Sequence, residues 1–459
     1  MTEVGSGRDV TENAAAPVIV WFRRDLRLAD NPALAAAAQS GRPIIPLYIL
    51  DETPGIRLPG AASRWWLDKS LAALAGSLEG LGSRPILRRG VAAEVLARLV
   101  TETGAAGVFW NRLYDPGVVE RDTALKSGLG VEAHSFNASL LNEPWTVKTG
   151  TGKDYSVFTP YWRAARGRLD AVEATPAPER LPAPKSWPVS DRLADWGLHP
   201  TTPDWSGGFN IWTPGEAGAQ QRLDAFLDNA ADYASRRDRP DLDGTSRLSP
   251  HLHFGEIGPR QVWIAAQTAA ATGKARDSDM DKLLSELGWR EFNHHVLFHH
   301  PDIATQNLKG GFEAMPWRND PEGLCAWRRG RTGYPLVDAG MRELWATGFM
   351  HNRVRMVAAS FLIKHLLIDW REGERWFWDT LVDADPANNA ANWQWVAGSG
   401  ADASPWFRIF NPATQAEKFD PDGAYVRRWV PEFGTPAYPS PIVDHAAARA
   451  RALAALKAL

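Results

Sequence analysis

Between residues 17 and 142 the chain alternates short β-branched or apolar runs with stretches whose apolar positions recur every three or four residues. The runs at 18–22, 44–50, 85–89, 107–110 and 131–136 read as buried strands. The stretches at 62–81 and 92–101 have helical spacing. Such alternation implies right-handed crossovers and a parallel, doubly wound sheet. No glycine-rich phosphate loop follows the first run; Arg23-Arg24-Asp25-Leu26-Arg27 stands there instead. This Rossmann-like layer is therefore not expected to be a dinucleotide site of the usual type.

Residues 143–212 lose both periods, broken by Pro176, Pro178, Pro182, Pro184 and Pro188. They read as a linker with little regular structure, too aromatic to be a free tether and expected to wrap over the surface. From 213 to 459 the patterns are helical. Leu223, Phe226, Leu227, Ala230 and Ala234 keep three-four spacing, and further helices are expected at 259–270, 281–299, 337–368, 375–382 and 445–459. The predicted fold class is α/β plus all-α: a sheet domain at 17–142, a linker at 143–212 and a helical domain at 213–459. Residues 1–16 read as a disordered tail.

Composition narrows the function classes. Hydrophobic residues make up 44% of the 459 and charged residues 23%, which permits a large core. No apolar run reaches the roughly 18 residues of a membrane helix, and the leader lacks a signal-peptide core. Cys325 is the only cysteine, which excludes disulfides and multi-cysteine metal or iron–sulfur sites within one chain. A cytoplasmic protein, with no membrane, no metal and one chain per molecule, is expected. The net charge of −3 argues weakly against nucleic acid, yet 331–371 holds six positive side chains against three negative ones. That segment is either a solvated helix face or a local field for an anionic partner. Tryptophan is unusually abundant: 22 residues, half of them at or beyond Trp289. Indole is a poor generic core filler, so stacking on planar ligands or electron transfer competes with an aromatic core.

Four constellations carry candidate chemistry. In Asp243-Gly244-Thr245-Ser246-Arg247-Leu248-Ser249-Pro250, hydroxyls and an arginine run into a helix with Ser249 as expected N-cap and Pro250 at its first position. That arrangement suits a phosphate, or simple capping. Glu286, Trp289, Arg290 and Asn293 share one helical stripe, able to stack on a base and bond its edge, or to form an exposed ion-paired face. Asn352 and Met356 lie one turn apart with Arg353 and Arg355 beside them. The run 383–395 is dense in Asp and Asn, poor helix formers that are costly to bury without a polar ligand; an Asn/Asp-rich loop is the alternative. His294, His295, His299 and His300 lack an accompanying carboxylate or cysteine pattern and read as structural or surface residues.

Taken in order, these segments resemble the photolyase/cryptochrome family over nearly the whole chain. The opening Val20-Trp21-Phe22-Arg23-Arg24-Asp25-Leu26-Arg27 with Asp30-Asn31-Pro32 is similar to that family's first strand and loop. So are 245–250, 289–292, Gly333-Tyr334-Pro335-Leu336-Val337-Asp338, 350–356 and 383–412. The resemblance implies an antenna domain followed by a helical domain holding FAD in a folded conformation. It implies that Tyr233, Thr245, Ser246, Arg247, Leu248 and Ser249 hold the FAD phosphates and that Arg290 is a further flavin contact. Asn352, Arg355, Asp383, Ala384 and Asp385 match positions around the flavin ring, with Arg355 and Asp383 as an ion pair. Asn389 matches the residue facing flavin N5.

Trp393, Trp370 and Trp317 match an electron-transfer chain to the flavin. Glu286, Trp289, Asn352, Met356 and Trp395 match the pocket for a flipped-out cyclobutane pyrimidine dimer in UV-damaged DNA. Arg237, Arg353 and Arg408 match DNA-backbone positions. The implied activity is light-driven repair of that dimer. The (6-4) photolyases resemble this chain but use two histidines where Asn352 and Met356 stand, and methionine cannot donate a proton. Plant-type cryptochromes, light-signalling proteins, carry an acidic residue at the position of Asn389 and a long tail, whereas here about fifty residues follow Pro412. Gly60-Ala61-Ala62-Ser63-Arg64-Trp65-Trp66-Leu67 is similar to the class III group, which implies a methenyltetrahydrofolate antenna, with 8-hydroxy-5-deazaflavin as the alternative.

Overall fold

The computed structural model describes residues 16–169, 172–403 and 407–459, so the tail expected at 1–16 lies outside the described residues except for its last position. Strands β1 (Val18–Phe22), β2 (Ile44–Asp51), β3 (Ile86–Gly90), β4 (Gly107–Asn111) and β5 (Glu132–Phe136) form one sheet in the order β3-β2-β1-β4-β5. Every neighbouring pair is parallel. Central β1 is apolar throughout because both its faces are covered. Ile19 and Trp21 enter one core while Val18, Val20 and Phe22 enter the other.

At the sheet edge the expectation of a buried strand fails. In β5, Glu132 and His134 are exposed or nearly so and no residue is fully buried, because one side of the strand has no neighbour. The segment 143–212 is also more ordered than its prolines suggest. It contains the helix Phe158–Arg166, whose Phe158, Tyr161 and Trp162 pack into the core of the helical domain. Trp162 fits because Gly288 opposite it has no side chain; a Cβ there would sit 2.6 Å from the indole.

Three helical expectations change in the folded chain. The helix Glu216–Asp228 ends before Ala230, and the left-handed Asp232 (φ 59°) precedes a separate turn, Tyr233–Arg236. The stretch 337–368 is not one helix. Pro335–Thr347 stops at left-handed Gly348, and Asn352–Ser360 then starts in a new direction and runs into the π-helical turn Phe361–His365. The Asp/Asn-rich run, by contrast, is helical over Pro386–Ala397. Its poor propensities are overcome by Asp385, which caps Ala387 N and Asn388 N, by Pro386 in the first turn, and by burial of Ala387, Ala390 and Trp393.

Glu291, on the long helix Asp277–His299, ties that helix to the residue just before the linker by accepting a 2.9 Å bond from Asn142 N. Burial pushes its carboxyl up to about 7 from an ordinary 4.5. A raised folded-state value means the unfolded chain releases this proton first as pH climbs. The group's contribution to stability is therefore full below 4.5, falls across 4.5 to about 7 and is lost above. E291Q should flatten the dependence of melting temperature on pH in that window. An unchanged slope would remove Glu291 as its source.

Candidate functional site

A cavity of about 490 Å3 opens in the helical domain, a size suited to a cofactor-scale ligand. Its walls are the loop preceding Pro250, the helices Asp277–His299, Asn352–Ser360 and Pro386–Ala397, and the stretch 381–385. Sequence-distant candidates meet here. Tyr233, Arg237, residues 245–249, Glu286, Trp289, Arg290, Asn352, Arg353, Arg355, Met356, residues 383–385, Asn389, Trp393 and Trp395 all line it. Trp317, Trp370 and Arg408 do not.

The 245–249 loop is held from behind by Arg222, whose Nε and Nη2 donate to Ser246 O (2.8 Å) and Thr245 O (2.9 Å). Arg247 sits in the left-handed region (φ 50°), uncommon for a non-glycine and often a mark of a functional turn. Ser249 is not the N-cap. It is the first residue of a six-residue helix capped at Leu248, and its Oγ donates to Asp383 Oδ2 at 2.6 Å. So short a helix offers little dipole, and any anion held here is held by side chains and loop amides.

Asp383 Oδ2 also accepts from Arg355 Nη2 at 2.9 Å, while Arg355 Nε donates to Met350 O. Asp383 Oδ1 is buried and has no hydrogen-bond partner among the described residues. Such an orphan is costly unless a ligand donates to it, which fits a polar ring edge such as that of a flavin. Asp385, besides capping its helix, lies 3.7 Å from His253 and 3.6 Å from His294. Burial pushes His294 down to about 4, so it is a neutral imidazole near pH 7, its Nδ1 against Arg290 O. His295 is core: it meets Pro144 O and Tyr155 N. His300 stands near Asp154 at the surface.

Asn389 Nδ2 donates to Glu374 O (3.0 Å) and Glu374 Oε1 (2.8 Å). Neither Glu374 nor Arg222 was singled out in the sequence, because each acts on a partner that is far away along the chain.

At the other end, Trp289 is not free on both faces: Phe158 stacks on it with centroids 3.8 Å apart and planes 9° from parallel. Trp395 is half-buried and anchored by Nε1 to Asp402 O at 3.2 Å. Glu286 is bonded by Arg237 Nη2 (2.9 Å) and Lys282 Nζ (2.8 Å). Arg237, expected at a DNA-backbone position, has its guanidinium mostly buried here and paired with Glu286. Arg353 pairs with Asp238 at 2.8 Å, and Arg408 is exposed. Both border an outer groove with Arg236, Arg239 and Lys418, a basic rim beside the cavity mouth.

Trp393 is buried at the cavity wall, its ring edge-on to Phe377 at 4.9 Å. It lies against the backbone of the helix Trp370–Thr380, where a Cβ on Gly373 would come within 2.1 Å of the ring. Trp370, fully buried, begins that helix and donates to Asn307 Oδ1 at 3.0 Å. Half-buried Trp317 packs on the same apolar cluster.

Comparison with known proteins follows the same division. The family model described as DNA photolyase matches residues 18–184, and that described as FAD binding domain of DNA photolyase matches 283–436. The deoxyribodipyrimidine photo-lyase of Agrobacterium fabrum is 52% identical, over 97% of this chain and 98% of that protein. Cryptochrome-1 of Arabidopsis thaliana is 42% identical over 90% of this chain, which spans 62% of that relative. The crystal structure of a bacterial class III photolyase from Agrobacterium tumefaciens superposes with a TM-score of 0.94 at 51% identity, covering 98% of this chain and 99% of the other.

Proposed function

Because the chain belongs to the photolyase/cryptochrome family, we propose that it is a class III deoxyribodipyrimidine photo-lyase, using bound FAD and light to split cyclobutane pyrimidine dimers in DNA. The observation that carries this reading is convergence. Residues suited to holding a flavin, stacking a flipped base and bonding its edge come from separate elements and line one cavity.

Reduced FAD, when bound, supplies a photoexcitable electron that opens the cyclobutane ring by breaking its two inter-base bonds and is then returned. The protein's own work is placement. The 245–249 loop and Tyr233 hold the phosphates, with Arg222 bracing the loop. Asp383 and Arg355 bond the ring edge, and Asn389 faces N5. Glu286, fixed by Arg237 and Lys282, bonds the extruded bases, while the open side of Trp289 and the ring of Trp395 supply apolar surface. Asn352 and Met356 complete the lesion pocket. Arg353 and Arg408 meet backbone phosphates, adding affinity that falls with salt. Trp393, Trp370 and Trp317 pass an electron inward from the surface.

Gly60 and its neighbours, which carry the class III resemblance, brace the sheet domain on the helical one: Ser63 Oγ donates to Leu381 O and Trp66 Nε1 to Glu256 Oε1. Methenyltetrahydrofolate is the proposed antenna, and a cytoplasmic monomer the proposed form. The test is dimer-bearing DNA incubated with purified protein in blue light and in darkness, with an absorption spectrum before and after denaturation. Repair only in light, FAD released on denaturation, and weaker repair by M356H are expected. Equal repair in the dark or colourless protein would sink the reading, and a deazaflavin spectrum would replace the folate.

A further inference from the structure

We propose that Arg57, in the loop joining β2 to the helix Ala61–Gly80, is a positioning residue that fixes the amide of Asn389 through Glu374, with its carbonyl oxygen toward the cavity. The inference rests on the reading that Asn389 faces flavin N5, and goes beyond it by bringing the sheet domain into the site.

Arg57 reaches across the domain boundary and grips Glu374 with both ends of its fork. Nη1 lies 2.6 Å from Oε1 and Nη2 3.0 Å from Oε2. Glu374 is only 4% exposed, and Arg57 is 38% exposed with its guanidinium 3.9 Å from the centre of the Trp378 ring. Two parallel charge-assisted bonds fix the plane of a carboxylate in a way one point charge cannot.

That plane decides the direction of the amide. Both Glu374 atoms within reach of the Asn389 side chain, the backbone carbonyl and Oε1, are acceptors and are met by Nδ2. Rotating the amide by half a turn would set its own carbonyl oxygen against both. The orientation follows from the partners, and it leaves Oδ1 as the atom offered to the cavity. An acceptor there favours a flavin that carries a proton on N5.

The loop carrying Arg57 is itself seated firmly. Gly60 lies so close to the end of the Trp370–Thr380 helix that a Cβ would meet Trp378 O at 2.1 Å. Trp378 Nε1 donates to Leu58 O at 2.9 Å, and Ala61 N to Asp379 Oδ1 at 2.9 Å. Without Arg57, a carboxylate this deeply buried loses a charged partner. It then turns toward water, and the hold of Oε1 on the amide goes, leaving only the backbone carbonyl.

The test uses full-length, FAD-loaded protein illuminated with a thiol reductant. Visible absorption reads whether N5 is protonated, and the spectrum is followed during re-oxidation in air in the dark. R57Q is expected to shift the spectrum toward unprotonated N5 and to speed re-oxidation about 3- to 10-fold, the effect of losing the one ordinary hydrogen bond that the Asn389 amide offers to N5. R57K, which keeps the charge but not the fork, gives a smaller shift in the same direction and keeps the test available if R57Q does not fold. D379N, which loosens the same interface away from Glu374, leaves the spectrum native. In an N389A background R57Q adds nothing. A native spectrum in R57Q or R57K, the same shift in D379N, or additive effects with N389A would overturn the proposal. If N389A alone is spectrally silent, the reading of Asn389 falls and this inference with it; a silent R57Q beside an altered N389A overturns only the inference.

Discussion

D383A is expected to leave a folded protein that no longer retains FAD. Asp383 is 3% exposed in its side chain and accepts from Ser249 Oγ and Arg355 Nη2, joining the 245–249 loop to the helix Asn352–Ser360. Its removal strands a guanidinium that is only 23% exposed and frees the start of the 249–254 helix. Breaking a buried pair by deleting one partner costs about 3–5 kcal/mol. Partial exposure of Arg355 places this case near or below the lower end. Losing the orphaned Oδ1 as a ligand acceptor adds about 1–3 kcal/mol on the bound side. The second cost falls directly on FAD affinity and weakens it by about 5- to 150-fold, while the first loosens the pocket that holds the ligand. Titration of apoprotein with FAD, together with the flavin-to-protein absorbance ratio after dialysis, measures it. D383N keeps the acceptor without the charge and should fall between. Stoichiometric FAD in dialysed D383A would refute the assignment.

W393F should lose light-driven reduction of the flavin while repair by chemically pre-reduced enzyme persists. The indole stands between the cavity and the helix that begins with Trp370, enclosed by Phe377 and by Trp327 at 6.2 Å. Phenylalanine fits the same slot above Gly373 with a modest void, so the fold should survive. It does not yield an electron to an excited flavin as indole does. Oxidised, FAD-loaded W393F illuminated with a thiol reductant should therefore stay oxidised. After dithionite reduction it should repair dimers near the native rate. Photoreduction at the native rate would show that the electron enters elsewhere, and loss of both activities would mean that Trp393 holds the flavin rather than reducing it.

The parts of the site read most directly from the chain were those whose residues lie close together. Glu286, Trp289, Arg290 and Asn293 share a stripe because helical geometry fixes which neighbours align. Asn352 and Met356 are one turn apart for the same reason. The loop 245–249 was legible because hydroxyls and an arginine before a proline suggest a helix start, although Leu248 rather than Ser249 turned out to be the cap. What stayed hidden were pairs joined across long separations. Arg222 bracing the loop, Glu374 holding Asn389, and Arg237 turned onto Glu286 are pairings that no local spacing signals.

By itself the sequence determined the alternating strand–helix layer, the helical character of the second half and the family. Periodicity and local motif spacing are short-range properties, written into neighbouring residues and independent of how distant segments meet. Tertiary structure alone decided three things. The edge position of β5 exposed a strand that looked like core. The turn at Gly348 broke an apparent long helix so that Asn352 could face the cavity. Packing around Asp385 and Trp393 drew an Asp/Asn-rich run into a helix against its propensity. Caps at Asp385 and Gly348 are local, but the burial that makes those elements hold, and the missing neighbour of β5, depend on residues far away along the chain.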